Sequence, residues 1–367
     1  MSRIAFVSST SGRGGSDNAL ASLAVSLSAK GHEVVVVLLQ DGPLRARLEA
    51  AHIGFHVVQP GRMRSPLYVL RTALSLGRLL WRFGAEIVIA SEWRAQFTSG
   101  LASITLRMPQ VWWQQGRLTQ SVLARMTSTV HCDLIICGNP DQAYWLARTT
   151  RRKVRVIAPA SDQSFKQVDQ TWKGAHAGGS RPLIGVLGRV EEWKGQGILV
   201  EAAKLLSERG IAADYAVVGS AEGADAEAYM RSCKRLADRY ALDGFAFIDH
   251  TDNPQNWLAA FDILVSTSKD EPFGLVIVEG LAMGRIVVAH DSAGPSYIIK
   301  SGLNGLLYKD HSGDSLADSL ETALTLDAAR IREIAAEARR RAGELSLAKF
   351  SDSMEQTLTS IIDARTV

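Results

Sequence analysis

Short apolar runs alternate with longer amphipathic stretches through most of this chain. The runs Ile4–Ser8, Val34–Leu39, Phe55–Val58, Ile87–Ala90, Val111–Trp113, Leu134–Cys137 and Val154–Ile157 are too short for buried helices, and most are rich in β-branched residues. Such runs predict strands covered on both faces, with helical segments between them. The rhythm stops over Gln163–Pro182, where little apolar periodicity survives and Gly178-Gly179-Ser180 gives the composition of a linker. It restarts at Leu183–Leu187 and continues through Tyr215–Val218, Phe245–Ile248, Ile263–Ser266, Ile286–Ala289 and Gly305–Leu307. Strand alternating with helix predicts an α/β chain built on doubly wound, Rossmann-like parallel sheets. A length of 367 residues exceeds what one ordinary core sustains, so two domains are expected. We place them at 1–164 and 165–346, with a final helix over about 347–367 packing back on the first. Two such domains would face each other across a cleft, the usual place for a ligand.

The chemistry concentrates in the second domain. After the strand Ile263–Ser266 comes Asp270-Glu271-Pro272-Phe273-Gly274-Leu275, running into a short apolar helix that carries Glu279. Pro272 and Gly274 keep Glu271 on the loop, so two carboxylates stand at the carboxyl edge of a strand, where open parallel sheets bind ligands. The peptide N–H groups of Phe273, Gly274 and Leu275 would be unpaired donors at a helix start, suited to a phosphate. This stretch, continuing through Gly280-Leu281-Ala282-Met283-Gly284, resembles the E-x7-E signature of glycosyltransferase family 4. Members of that family are retaining, nucleotide-sugar-dependent enzymes of the GT-B fold. The resemblance implies that Glu271 holds hydroxyls of the donor sugar and that Glu279 holds the ribose of the nucleotide.

Two further segments fit the same resemblance. Gly188-Arg189-Val190-Glu191-Glu192-Trp193-Lys194-Gly195 follows the first strand of the second domain and is similar to the family's G-R-x-x-x-x-K-G motif. A diphosphate needs such partners: Arg189 can fork two oxygens, Lys194 acts as a point charge, and a helix start adds peptide donors. Near the N-terminus, Gly12-Arg13-Gly14-Gly15-Ser16-Asp17 resembles the family's glycine-rich first loop, with Gly14 and Gly15 expected to let the backbone bend sharply toward donor and acceptor. A tight turn capped by Ser16 or Asp17 is the plain alternative. A dinucleotide fingerprint fits less well, because Asp17 stands where its third glycine belongs.

The chain also departs from the family pattern. Trp112-Trp113-Gln114-Gln115-Gly116 occupies the stretch where members often carry a His, and Gln114 or Gln115 can exchange hydrogen bonds there without holding a proton charge. Tyr297 replaces a common Glu in Ala293-Gly294-Pro295-Ser296-Tyr297, and Arg285 replaces a frequent Pro. No protein nucleophile is evident, and the implied reaction is transfer of a hexose-type sugar from a nucleoside diphosphate sugar to an acceptor hydroxyl with retention. A sugar-nucleotide epimerase or hydrolase, or a non-catalytic nucleotide-sugar-binding protein, remain alternatives on the same fold.

Composition narrows the partners. Lysine and arginine number 41 against 38 acids, which gives no support for nucleic-acid binding. The eight histidines and three cysteines show no paired metal spacing, so neither a metal nor another cofactor is expected beyond the sugar nucleotide as co-substrate. Cys132, Cys137 and Cys233 are expected as reduced thiols in a cytoplasm. The start Met1-Ser2-Arg3-Ile4 leads straight into a strand, and no apolar run approaches the about 20 residues of a membrane span. The acceptor could be a sugar, a lipid-linked sugar or a small molecule. Residues 66–83 form a helix with Arg71, Arg78 and Arg82 in a stripe flanked by Leu67, Leu74 and Trp81. That stripe fits either a weak peripheral contact with the inner face of a membrane or a helix on the sheet whose arginines wet its outer face.

Overall fold

The computed structural model describes residues 1–58, 66–117, 127, 129–160, 181–251 and 253–366. The linker read at Gln163–Pro182 lies outside the described residues as far as Ser180. Contacts group the chain into two compact units, Met1–Asp162 with Leu345–Val367, and Gln163–Glu344.

In the first unit, β1 (Arg3–Ser8), β2 (Glu33–Leu38), β3 (Gly54–Val57), β4 (Ile87–Ser91), β5 (Gln110–Gln114), β6 (Leu134–Cys137) and β7 (Lys153–Val156) form one sheet ordered β3-β2-β1-β4-β5-β6-β7. Every pairing in it is parallel; Val7, for example, lies between Val37 and Ala90. Helices α1 (Gly15–Ala29), α2 (Leu44–Ala50), α3 (Pro66–Phe83), α4 (Glu92–Leu106) and α5 (Pro140–Thr149) link the strands. Leu76 and Leu80 of α3 join Ala95 and Ala102 of α4 over Val7, Val37 and Val88 in one buried cluster, so both helices cover the same sheet face.

The second unit has β8 (Leu183–Leu187), β9 (Asp214–Val218), β10 (Phe245–Ile248), β11 (Ile263–Ser266), β12 (Ile286–His290) and β13 (Leu306–Tyr308), also all parallel, ordered β10-β9-β8-β11-β12-β13. Its helices are α6 (Gln196–Glu208), α7 (Ala224–Arg239), α8 (Pro254–Ala260), α9 (Leu275–Ala282), α10 (Ala293–Ile298), α11 (Gly313–Leu324) and α12 (Ala328–Glu344). Every strand expected from the apolar runs is present, with ends displaced by about one residue.

The last helix, α13 (Leu347–Thr366), belongs to the first unit. Phe350, Met354 and Leu358 are buried, and the Phe350 ring lies 5.5 Å from that of Trp113 on β5. Lys30 donates to Glu355 at 2.6 Å, and Arg155 on β7 donates to Thr357 at 2.8 Å. Truncating a buried aromatic such as Phe350 to alanine costs about 3–5 kcal/mol, so this helix is integral to the core of that unit.

Each sheet reverses its strand order once, between β1 and β4 and between β8 and β11. Chain leaving the carboxyl ends of two such neighbours diverges to opposite faces and opens a crevice. These two edges position the chemistry.

Candidate functional site

At the reversal of the second sheet, the loop after β8 meets the loop after β11. Lys194 closes a short 3-10 turn, Glu192–Lys194, and its ammonium lies 2.6 Å from a carboxylate oxygen of Glu271. Both side chains are largely buried, 22% and 10% exposed, so water screens the pair weakly. The Lys194 ammonium also stands 4.2 Å from the ring centroid of Trp193. Trp193 donates its indole N–H to Glu191, whose other oxygen takes the Arg189 guanidinium at 2.5 Å. Arg189, Glu191, Trp193, Lys194 and Glu271 thus form one continuous line of contacts. The Arg189 side chain is half-exposed and free to exchange Glu191 for an incoming anion.

Backbone hooks fix this arrangement. Thr267 donates its hydroxyl to the Lys194 carbonyl at 2.6 Å, and the Lys269 N–H donates to the Trp193 carbonyl at 3.0 Å. Gly195 turns the chain into α6 with φ +69°, and a Cβ there would stand 2.5 Å from the Thr267 carbonyl, so no side chain fits. From below, His311 Nε2 donates to the Thr267 carbonyl at 2.8 Å and His290 Nδ1 to the Lys269 carbonyl at 3.0 Å; carbonyl acceptors fix both tautomers.

Glu271 and Glu279 are each 8% exposed. Gly274 takes φ +100° and starts α9, which places Glu279 about one turn into the helix as its spacing suggested. The N–H groups of Phe273, Gly274 and Leu275 have no carbonyl partner in the turns and caps of the described residues, as a helix start dictates. Gly294, at the start of α10, packs directly under this loop: its N–H donates to the Glu271 carbonyl at 3.1 Å, and a Cβ would meet Phe273 backbone at 2.4 Å. Tyr297, which stands in place of the family's common Glu, sits 6.5 Å from the Phe273 ring and is covered by the Arg341 guanidinium at 5.3 Å. Arg285 lies at the opposite, amino edge of the sheet, where it donates to the Phe261 carbonyl just before β11.

The first unit corrects one expectation. Gly14 has φ −73° and neither it nor Gly15 uses a left-handed conformation, so the loop bends without the freedom of glycine. Asp17 shapes it instead, accepting from the Thr10 hydroxyl at 2.8 Å and the Gly14 N–H at 3.3 Å, which is the capping role held open above. Gln114 is a structural residue: it donates to the Gly116 carbonyl at 3.0 Å, a group that Gln142 also bonds at 3.2 Å. Gln115 reaches across from β5 to β4, donating to the Ser91 hydroxyl at 2.9 Å.

Sequence reasoning passed over Glu92. It opens α4 beside β1 at the reversal of the first sheet and is held at φ +71°, a conformation costing a non-glycine residue about 1–3 kcal/mol. Its carboxyl has no hydrogen bond or ion pair among the described residues, and it packs so close to Gly116 that a Cβ there would lie 2.8 Å from it. Though part of the residue stays open, burial of the carboxyl and, less, the nearby Asp17 push its pKa up to about 7. The one available signal was position, a carboxylate directly after the fourth apolar run.

Elsewhere the thiols are inert: all three cysteines are free and buried, and burial pushes Cys132 and Cys137 up to about 12. Among the described residues, no group of three or more His, Cys, Asp or Glu side chains is arranged to hold a metal ion. No described helix is long and apolar enough to cross a membrane.

Comparison with known proteins identifies the family. Residues 13–165 match the family model Glycosyltransferase Family 4, and residues 169–342 match Glycosyl transferases group 1. An alpha-D-kanosaminyltransferase of Streptomyces kanamyceticus is 28% identical over 56% of this chain and 52% of its own length. The lipopolysaccharide core biosynthesis glycosyltransferase LpsE of Rhizobium meliloti is 27% identical over 64% of this chain and 67% of its own. The chain thus spans about half to two thirds of the length of these curated relatives. Among solved structures, HepE of Anabaena in complex with UDP and glucose superposes with TM-score 0.86 at 22% identity, covering 98% of this chain and all of that one. A glycosyltransferase of Rickettsia africae gives 0.87 at 17% identity over 98% of each chain.

Proposed function

The chain belongs to the family 4 glycosyltransferases, with the Rossmann-like units of the GT-B fold, and on that footing we propose that it moves a hexose-type sugar from a nucleoside diphosphate sugar to an acceptor hydroxyl with retention of configuration. One observation carries the reading: Lys194 and Glu271 meet at 2.6 Å where the second sheet reverses, beside the unpaired N–H groups that open α9. A sugar diphosphate has matching parts. Its phosphates take Arg189, Lys194 and the peptide donors of Phe273, Gly274 and Leu275; its sugar hydroxyls donate to Glu271; the ribose hydroxyls donate to Glu279.

As the bond from the anomeric carbon to the diphosphate oxygen breaks, negative charge grows on the departing phosphate. Fixed cations and N–H groups stabilise that charge more than the ground state, which is where the rate comes from. We assign no side chain as a nucleophile. Retention without a covalent intermediate requires the acceptor hydroxyl to attack from the face the diphosphate leaves, its proton passing to the departing phosphate oxygen. No metal ion is needed for charge neutralisation in this scheme. Gly14 and Gly15 in the first loop and Gln115 at the end of β5 are assigned to the donor side. The relatives' names, a kanosaminyltransferase and a glycosyltransferase of lipopolysaccharide core biosynthesis, support an acceptor in natural-product, glycolipid or polysaccharide synthesis.

A binding protein without turnover is the second reading, favoured by the commitment of Gln115 to Ser91. A thermal-shift panel of UDP, GDP, ADP and TDP sugars, followed by assay of donor consumption, separates the two. Stabilisation by one donor with slow consumption supports the enzyme; stabilisation without any consumption supports the binding protein. Stabilisation by none removes both.

A further inference from the structure

Helix α3 shows an outward face that the core does not use. Leu67, Leu70, Leu74 and Trp81 are 55%, 54%, 49% and 72% exposed, and they lie among exposed Arg71, Arg78 and Arg82. At 3.6 residues per turn these positions fall within about a third of the helix circumference. The opposite side, with Thr72, Leu76 and Leu80, is buried against the sheet. The segment 66–83 contains no acidic residue, and none of the three arginines has a hydrogen bond or ion pair among the described residues. The neighbouring α4, on the same sheet face, adds exposed Leu101 and Ile104. Arginines that merely wet the outside would not be accompanied by four large apolar side chains held in water.

We propose that this face of α3 is a docking surface for an anionic lipid bilayer, lying in the plane of the headgroups with Leu67, Leu70, Leu74 and Trp81 inserted and the arginines on lipid phosphates. Charge and layout select this occupant. A protein interface gathers its apolar residues into a centre depleted of lysine and acids, though arginine is common there, so the choice rests on the charge of the whole face. Here every apolar residue has an arginine within a turn of it and residues 66–83 carry no acid to balance them, a one-signed stripe that suits an anionic headgroup layer, where long basic side chains reach phosphate while leucine and tryptophan enter the acyl boundary. None of these residues is among those assigned to the donor.

The experiment is sedimentation of the full chain with vesicles of phosphatidylcholine alone and of phosphatidylcholine mixed with phosphatidylserine. Binding is expected to the mixed vesicles, weakly to the neutral ones, and to be released by salt. Each arginine near an anionic surface contributes about fivefold to the partition, so combined Arg71→Gln, Arg78→Gln and Arg82→Gln should lower it about a hundredfold. Leu74→Ser with Trp81→Ser should weaken binding to both vesicles. All these side chains are exposed, so unchanged circular dichroism and melting would show the variants folded. Equal, negligible binding to both vesicles, or binding to mixed vesicles that neither variant set changes, would overturn the proposal and leave this face to a protein partner.

Discussion

Replacing Glu92 by glutamine probes the strained edge of the first unit through its pH dependence. An ordinary glutamate gives up its proton near 4.5, whereas burial, reinforced by Asp17, lets folded Glu92 keep it until about 7. Between those values the folded chain binds one proton more than the unfolded chain, so stability falls as pH rises through the window. Below 4.5 both forms are protonated and the contribution is whole; above about 7 it has been lost. At about 1.4 kcal/mol for each tenfold, the window is worth on the order of 3 kcal/mol. Glutamine keeps the shape and cannot ionise. Relative to the parent, Glu92→Gln should therefore gain on the order of 3 kcal/mol on going from about pH 5 to about pH 8. Urea unfolding followed by tryptophan fluorescence suits the measurement, because Trp81, Trp93, Trp112, Trp113 and Trp145 all lie in the first unit. Taking the difference between variant and parent removes every other titrating group. Parallel pH–stability curves for the two proteins would refute the reasoning.

Other expectations concern the second unit and the reaction. Lys194→Ala or Arg189→Ala should lower donor consumption about a hundredfold or more, the scale of losing one charge-stabilising donor; near-normal steady-state rates in both would overturn their assignment. Glu279→Ala should weaken nucleoside diphosphate binding, and unchanged affinity in a titration would remove the ribose contact. With water as the only acceptor, the first sugar released, read by proton NMR before mutarotation, should keep the donor's anomeric configuration; inversion would exclude same-face attack. Donor consumption should survive a strong chelator, and loss restored by added divalent ion would show that a metal shares the charge.

Much of this was legible in the chain because buried parallel strands are written as unbroken apolar runs, which need no knowledge of partners. The same holds for Arg189, Lys194, Glu271 and Glu279, since each motif follows its own strand within a few residues and a glycine marks each turn. What escaped depended on distant residues. Glu92 matters because β4 lies next to β1, a pairing between residues about eighty positions apart, and the strain at its φ of +71° leaves no trace in composition. In the first loop, glycines suggested a sharp bend of their own making, while the carboxylate of Asp17, the capping alternative, organises the turn. On α3, apolar residues nearly all round the helix hide which side the core takes, so the exposure of Leu67, Leu70 and Trp81 emerged only with the sheet in place. Similarly, Glu191 and Trp193 occupied unassigned positions of a motif, yet they connect Arg189 to Lys194.

The claim on which the account rests is that the loops after β8 and β11 grip a diphosphate. Calorimetric titration of the chain, and of its Lys194→Ala and Arg189→Ala variants, with UDP, GDP, ADP and TDP tests it most directly. One nucleoside diphosphate should bind the parent and lose about tenfold or more in each variant, the equivalent of at least one charge-assisted contact of about 1.5–3 kcal/mol. Binding of none, or binding that both substitutions leave untouched, would contradict it.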